Sequence, residues 1–462
     1  MIAPFLRALL LLLVLTLVDA HLNFTSTVAN WTEVADGPSG RECHAIAPLS
    51  DGRLLMYGGN TQRKDGLNKF FNDTYIYTPS SYTSSNGKGV TSGEGSWTKV
   101  ADGPGARQAH AMAPLSNGRV LMYGGDKMVN ETYQITEILN DAYIYTPSSF
   151  TLSNGKGVTA GGGTWTKVAD GPSARYAHAM APLSDERVLM YGGWLSTGDQ
   201  NIIFNDAYIY TPSSSMSSDG KGVTAGGGTW TKVADGPSAR QAHAMAPLPG
   251  GRVLMYGGGD YNIALNDTYI YTPSSSMSSD GKGVTAGGGT WTKVAAGPSC
   301  TRHYTDVPCG RSGHAMAPLS GGGKVLMYGG GGGYYGSFLN DTYIYTPSSS
   351  MSSNGKGVTA GEGSWTKVAD GPNGRYNHAM APLSNGRVLM YGGYDDVPGD
   401  GYNGYGYLND TWIIESPDVP SICCQTKSPD HKDDKAKCAT FLDSKSCDDY
   451  SKGFGDFCIW KC

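Results

Sequence analysis

Residues 97–145 read WTKVADGPGARQAHAMAPLSNGRVLMYGGDKMVNETYQITEILNDAYIY. The stretch holds the four kinds of short strand that recur along the chain: His-Ala-Met-Ala, Val-Leu-Met-Tyr, Asp-x-Tyr-Ile-Tyr and Trp-Thr-Lys-Val. In the copy at 73–78 the third type alternates, with Thr74, Ile76 and Thr78 on one face and Tyr75 and Tyr77 on the other, the period-2 pattern of a strand. The second type is nearly all apolar, as expected of a strand covered on both faces. A double glycine ends it, where a side chain would collide or a positive φ is needed.

The same block recurs at Trp31, Trp97, Trp165, Trp230, Trp291 and Trp365, with spacings of 66, 68, 65, 61 and 74 residues. Each tryptophan is followed by Gly-Pro, an arginine and, three residues after that arginine, a histidine. One four-stranded unit cannot bury both of its faces alone, so the units must stack around an axis. The last unit has Arg375, His378, Gly392, Gly393 and Asp410 but no Trp-Thr-x-Val segment after them, whereas the N-terminal side carries an orphan one, Trp31-Thr32-Glu33-Val34. That orphan is expected to complete the sixth sheet and latch the ring.

Arginine and histidine early, a double glycine, an aspartate before an aromatic strand and a closing tryptophan make residues 26–416 resemble the kelch repeat. The copies exceed the usual length of about 50 residues; the excess is a Ser/Gly-rich connection of the type Thr-Pro-Ser-Ser-Ser-Met-Ser-Ser-Asn-Gly-Lys-Gly-Val-Thr-Ala-Gly. The resemblance implies an all-β, six-bladed kelch-type β-propeller closed by an N-terminal strand.

Outside the repeats, residues 1–20 read as an export signal: Arg7, an apolar run from Ala8 to Val18, and small or apolar groups before a cleavage point after Ala20. The expected organisation is signal peptide 1–20, propeller 21–418 and a cysteine-rich module 419–462. No transmembrane anchor is expected, and the mature protein is expected outside the cell. Cys423, Cys424, Cys438, Cys447, Cys458 and Cys462 read as a disulfide framework with open connectivity, Cys300 and Cys309 as a staple across one insertion, and Cys43 as a small buried residue. Asn23 and Asn130 are the preferred glycosylation sites; those in the Asn-Asp-Thr openings (Asn72, Asn266, Asn340, Asn409) are expected to be too buried. A net charge of −5 without a basic cluster argues against a nucleic-acid partner.

His44, His110, His178, His243, His314 and His378 are expected to be one structural position repeated six times, satisfying local backbone groups, and no metal or other cofactor is expected. Arg41, Arg107, Arg175, Arg240, Arg311 and Arg375 are expected to ring one mouth of the central channel. The resemblance to kelch adaptors of ubiquitin ligases implies contact with acidic peptides from such positions. Asp36, Asp102, Asp170, Asp235 and Asp370, five residues before their arginines, are the alternative partners. The residue after each arginine varies (Glu42, Gln108, Tyr176, Gln241, Ser312, Tyr376), as does the stretch after the double glycine, which carries Trp194, Tyr261, Tyr334, Tyr335, Tyr394, Tyr402, Tyr405 and Tyr407. By kelch topology these share the arginine face, and tyrosines beside polar groups suit sugars or peptides.

The leading expectation is therefore a secreted, non-enzymatic recognition or adhesion protein, with an extracellular protein or glycan as partner. Three other readings stand beside it. A sugar mutarotase of kelch type needs only a carboxylate and an arginine at the mouth, for which Glu42 and Arg41 are the pair. A copper- or iron-dependent kelch enzyme fits less well: the copper oxidases need a further copper-bearing domain, and in the iron motif Glu137 and Asp141 match while Tyr145 stands at the histidine position. The last is a structural coat component.

Overall fold

The structure, a computed structural model, describes residues 30–34, 36–80, 95–115, 118–148, 162–213, 227–260, 263–274, 288–297, 310–320, 323–332, 337–348, 363–395 and 406–415. The expected signal peptide and cysteine-rich module lie outside the described residues.

Six four-stranded antiparallel sheets are present among them. In blade 1 the order from the axis outward is Ala45–Pro48, Leu54–Tyr57, Thr74–Thr78 and Ser96–Lys99. Blades 2 to 5 repeat it, with innermost strands Ala111–Pro114, Ala179–Pro182, Ala244–Leu248 and Ala315–Pro318. Blade 6 consists of Ala379–Pro382, Arg387–Tyr391 and Thr411–Glu415, with Trp31–Val34 as its outer strand. The latch is in register, Trp31 opposite Ile414 and Val34 opposite Thr411. The inner strands touch in a closed cycle, each meeting the next and the last meeting the first. Small alanines at alternate inner-strand positions permit that crowding.

Each second strand, such as Val120–Tyr123, is fully buried. Its two faces enter different hydrophobic clusters: Leu121 and Tyr123 pack with Met180, Val188 and Met190 of blade 3, while Val120 and Met122 pack with Leu55 and Tyr57 of blade 1. The core therefore lies between blades, which is why a single repeat has no core of its own. The outer tryptophan of each blade leans on a tyrosine of the preceding one, Trp165 on Tyr57 at 5.0 Å and Trp31 on Tyr328 at 4.8 Å between ring centroids.

The double glycine is required on both expected grounds. Gly58 and Gly59 have φ of +68° and +92°; a Cβ on Gly58 would meet the Arg107 carbonyl at 2.6 Å, and one on Gly59 the Glu42 carbonyl at 2.6 Å. The Gly59 N–H donates to that Arg107 carbonyl at 2.9 Å, joining blade 1 to blade 2.

Candidate functional site: the channel mouth

The arginines correct the sequence reading. Arg41, Arg107, Arg175, Arg240, Arg311 and Arg375 do not line the mouth; none is more than 2% exposed. Each donates in fork geometry to the aspartate that opens the third strand of its own blade: Asp73, Asp141, Asp206, Asp267, Asp341 and Asp410, at 2.6 to 3.1 Å. Nη1 of each also donates to the carbonyl of the first glycine of the pair, as Arg175 does to Gly192 at 2.8 Å. In blades 1 and 3 an aromatic ring backs the guanidinium, Phe71 and Phe204, each 4.1 Å away. A charge buried and paired in this way is closed to an acidic ligand, so these side chains are structural pins. The aspartates five residues upstream are not their partners: Asp102, Asp170, Asp235 and Asp370 pair with the lysine three residues earlier, as Lys99 does with Asp102 at 3.1 Å.

The mouth is built by the two residues after each arginine. The second of them, Cys43, Ala109, Ala177, Ala242, Gly313 and Asn377 in turn, adopts a left-handed φ between +51° and +64°. That conformation turns each amide toward the neighbouring blade. Cys43 N–H donates to Asn377 O (3.0 Å), Ala109 to Cys43 (2.8 Å), Ala177 to Ala109 (2.8 Å), Ala242 to Ala177 (2.8 Å), Gly313 to Ala242 (2.8 Å) and Asn377 to Gly313 (2.7 Å). The chain thus closes a six-membered hydrogen-bonded ring around the axis. Holding alanine in this region costs roughly 1–2 kcal/mol per residue, a strain maintained by the cyclic bonding. This ring was not legible in the sequence, since alanine does not announce a positive φ.

Beneath it stand the six histidines, 5 or 6% exposed, each edge-on to a tyrosine with centroids 5.1 to 5.4 Å apart. Their ring nitrogens find no well-formed partner among the described residues. They occupy one structural position repeated six times, as aromatic spacers, and five of them lie beside a tyrosine backbone group that favours the protonated ring, as Tyr391 does for His44. Burial, reinforced by the adjacent arginine, pulls His44, His178 and His314 down to about 3, and His110, His243 and His378 well below the usual range. Among the described residues no group of three or more His, Cys, Asp or Glu is placed to hold a metal.

The residue directly after each arginine supplies the side chain that distinguishes one blade from the next. Its backbone bridges to the residue after the double glycine: Glu42 to Asn60, Gln108 to Asp126, Tyr176 to Trp194, Gln241 to Gly259, Ser312 to Gly331 and Tyr376 to Tyr394. Among the described residues, the start of each variable stretch therefore lies beside the variable mouth position of its own blade. Gln108, Tyr176, Gln241, Ser312, Tyr376 and Asn377 line a cavity of about 530 Å³ over the axis. Tyr176 in blade 3 and Tyr376 in blade 6 stand on opposite sides of the six-blade cycle. Each is backed by an aromatic ring, Tyr176 by Trp194 (5.3 Å) and Tyr376 by Phe338 (4.8 Å), and Tyr394 adds an edge to Tyr376 at 5.6 Å. Glu42 accepts a hydrogen bond from Asn377 Nδ2 at 3.0 Å, and burial raises its carboxyl pKa.

Of the other expected site residues, Tyr261, Tyr334, Tyr335, Tyr402 and Tyr405 lie outside the described residues, as do Cys300, Cys309, Cys423, Cys424, Cys438, Cys447, Cys458, Cys462 and Asn23. Cys43 is half-buried at the mouth rather than in a core. Asn130 is half-buried at a hairpin tip, its Oδ1 accepting the Tyr133 N–H at 3.0 Å. The strand-opening asparagines are more open than expected: Asn72 and Asn409 are exposed, Asn266 and Asn340 half-buried.

Comparison with known proteins follows the same lines. A family model described as the KLHDC2/KLHL20/DRC7 Kelch-repeats domain matches residues 90–288. Putative adagio-like protein 2 of Oryza sativa subsp. japonica is 23% identical over 233 residues, 49% of this chain, which spans 31% of that relative's length. An F-box/kelch-repeat protein of Arabidopsis thaliana is 24% identical over 383 residues, 79% of this chain and 68% of its own. An N-acetylneuraminate epimerase of Shigella boydii serotype 4 (strain Sb227) is 27% identical over 95 residues, 21% of this chain and 22% of its own. Among solved structures, that of YjhT superposes with a TM-score of 0.53 at 14% identity, covering 83% of this chain and 97% of that one. The repeat motif, the sheet order and these likenesses agree on a kelch-repeat β-propeller.

Proposed function

We propose that this kelch propeller, a fold suited to a protein-interaction scaffold, is a secreted recognition protein that engages an extracellular protein or glycan at the channel mouth. The observation that carries the reading is the contrast within the six-fold frame. Six backbone-equivalent positions, each next to a residue of the hydrogen-bonded ring, present Glu42, Gln108, Tyr176, Gln241, Ser312 and Tyr376, while the arginine before them never changes. Two aromatic faces among amides and a hydroxyl suit a polar ligand with an apolar side, a sugar ring or a peptide. The test is binding of the purified protein to a mixed glycan and cell-surface protein array, beside a Tyr176→Ala/Tyr376→Ala variant. Hits lost in the variant support the mouth as the site; hits retained place the ligand elsewhere on the protein.

A sugar-modifying enzyme is the second reading, favoured by the similarity to the N-acetylneuraminate epimerase and by a half-buried carboxyl of raised pKa, Glu42. Arg41 is unavailable as its partner, being sealed on Asp73. Epimer or anomer exchange of N-acetylneuraminate and other reducing sugars, abolished by Glu42→Gln, would favour it over the binder.

A further inference from the structure

A second cavity, of about 250 Å³, lies off the axis between the hairpins that follow the double glycines of blades 1, 2 and 3. Its distinctive group is Asp126, which is 5% exposed. Asp126 Oδ2 accepts a hydrogen bond from Gln108 Nε2 at 3.2 Å, and Oδ1 has no partner among the described residues beyond the stabilisation lent by its own amide. A buried carboxylate with so few donors is costly to leave in place unless something else answers its charge.

Among the described residues, none around the cavity does so. In the blade 2 hairpin, Asp126 pairs with Ile138 and Met128 with Thr136, and these four line the cavity. The intervening pair, Lys127 and Glu137, belongs by strand alternation to the opposite face, where it is self-neutralised at 3.0 Å. In the blade 1 hairpin Asn68 and Phe70 line the cavity while Lys69, between them, sits over the Phe71 ring. Among the described residues no lysine or arginine lines the cavity, and the nearby framework arginines are sealed on their own aspartates.

We propose that this cavity is a subsite for an organic cation, a protonated amine or a guanidinium, with Asp126 as its counter-charge and Gln108 holding the carboxylate in place. The volume exceeds what one bare ion fills, and no cluster of metal-ligating residues surrounds it among those described. Burial has pushed the Asp126 carboxyl up to about 6, and a bound cation would pull it back toward the ordinary carboxylate range. The subsite shares Gln108 and Tyr176 with the mouth, so it extends the recognition reading, yet it would stand if the mouth took no ligand.

The test uses the full chain with Nα-acetyl-lysine methylamide and glucosamine as probes, and Nα-acetyl-norleucine methylamide and N-acetylglucosamine as their uncharged counterparts. Binding is read by calorimetry and by carboxyl-carbon NMR of Asp126. Both or either of the cations should bind about tenfold or more tightly than the uncharged counterpart and lower the Asp126 pKa. The two arms separate a peptide side chain from an amino sugar as the source. Asp126→Asn, which keeps the shape, should lose that preference while retaining any array hit that depends on Tyr176 and Tyr376. Equal binding of charged and uncharged probes, an unshifted Asp126 carboxyl, or undiminished cation binding by Asp126→Asn would overturn the proposal. If Asp126→Asn does not fold, the titration of Asp126 in the unaltered protein decides.

Discussion

Arg175 and Tyr176 are adjacent in the chain, and their environments are opposite. Arg175 is fully buried, with its charge closed on Asp206 and the Gly192 carbonyl, and every blade repeats it. Tyr176 stands half-open over the channel, packed at a tilt on Trp194, and Tyr376 is the only other tyrosine among its five equivalents. The first position pins each blade to itself; the second differs among blades. One residue of separation divides what makes the propeller from what gives this propeller a preference.

The frame is expected to break most readily in acid. Six buried histidines favour the neutral form, with folded values of about 3 for His44, His178 and His314 against about 6.5 in the unfolded chain. Their stability contribution is complete above pH 6.5 and declines as the pH falls from there toward the folded value. The slope is about 1.4 kcal/mol per pH unit for each histidine. Asp126, whose folded value is raised to about 6, and Glu42, also raised by burial, oppose this in acid, two groups against six. Melting followed from pH 7 to 4 should show a steep, cooperative loss; a flat profile would mean that the histidines are hydrated or bonded in a way the geometry does not show.

Next in size is the arginine pin. Arg175→Ala should cost about 3–5 kcal/mol by denaturant unfolding, because it leaves Asp206 unpaired. Arg175→Lys should also destabilise, since an ammonium cannot donate in fork geometry. Tyr176→Ala, one residue on, should cost no more than about 1–2 kcal/mol. Comparable losses at the two positions would erase the distinction between frame and mouth.

A finer test comes from blades that differ inside the frame. The outer tryptophans Trp31, Trp97, Trp165 and Trp365 donate to Thr342, Thr411, Thr74 and Thr268 of the preceding blade at 3.0 to 3.2 Å. At Trp230 and Trp291 the corresponding residues are Ala142 and Ala207, and both buried indole N–H groups lack a partner among the described residues. Ala142→Thr and Ala207→Thr should each stabilise the protein by about 1 kcal/mol in thermal or denaturant melts. No gain from either would show that water already satisfies the indoles.

Most of the frame was legible in sequence because it is periodic. Six copies, an all-apolar second strand and the orphan Trp31 strand led directly to the sheets and the latch. The arginine partners were misread because closeness in sequence suggested Asp102 for Arg107, whereas the pair forms with Asp141 on the far side of the blade. The missed signal was Asp141 itself, repeated in every copy but read only as a strand marker. The backbone ring left little trace, since Cys43, Ala109, Ala177 and Ala242 do not advertise a left-handed φ and only Gly313 and Asn377 are residues that favour it. Asp126 was invisible for a different reason: its burial arises from hairpins of neighbouring blades that sequence alone does not bring together.

The central claim is that recognition lives in the residue after each arginine. It is tested most directly by levelling the mouth: Glu42→Gln, Tyr176→Gln, Ser312→Gln and Tyr376→Gln together, so that Gln108 and Gln241 set the pattern for all six blades. A folded variant with near-parental melting and no remaining array binding is the predicted result. A folded variant that keeps its hits unchanged would contradict the account.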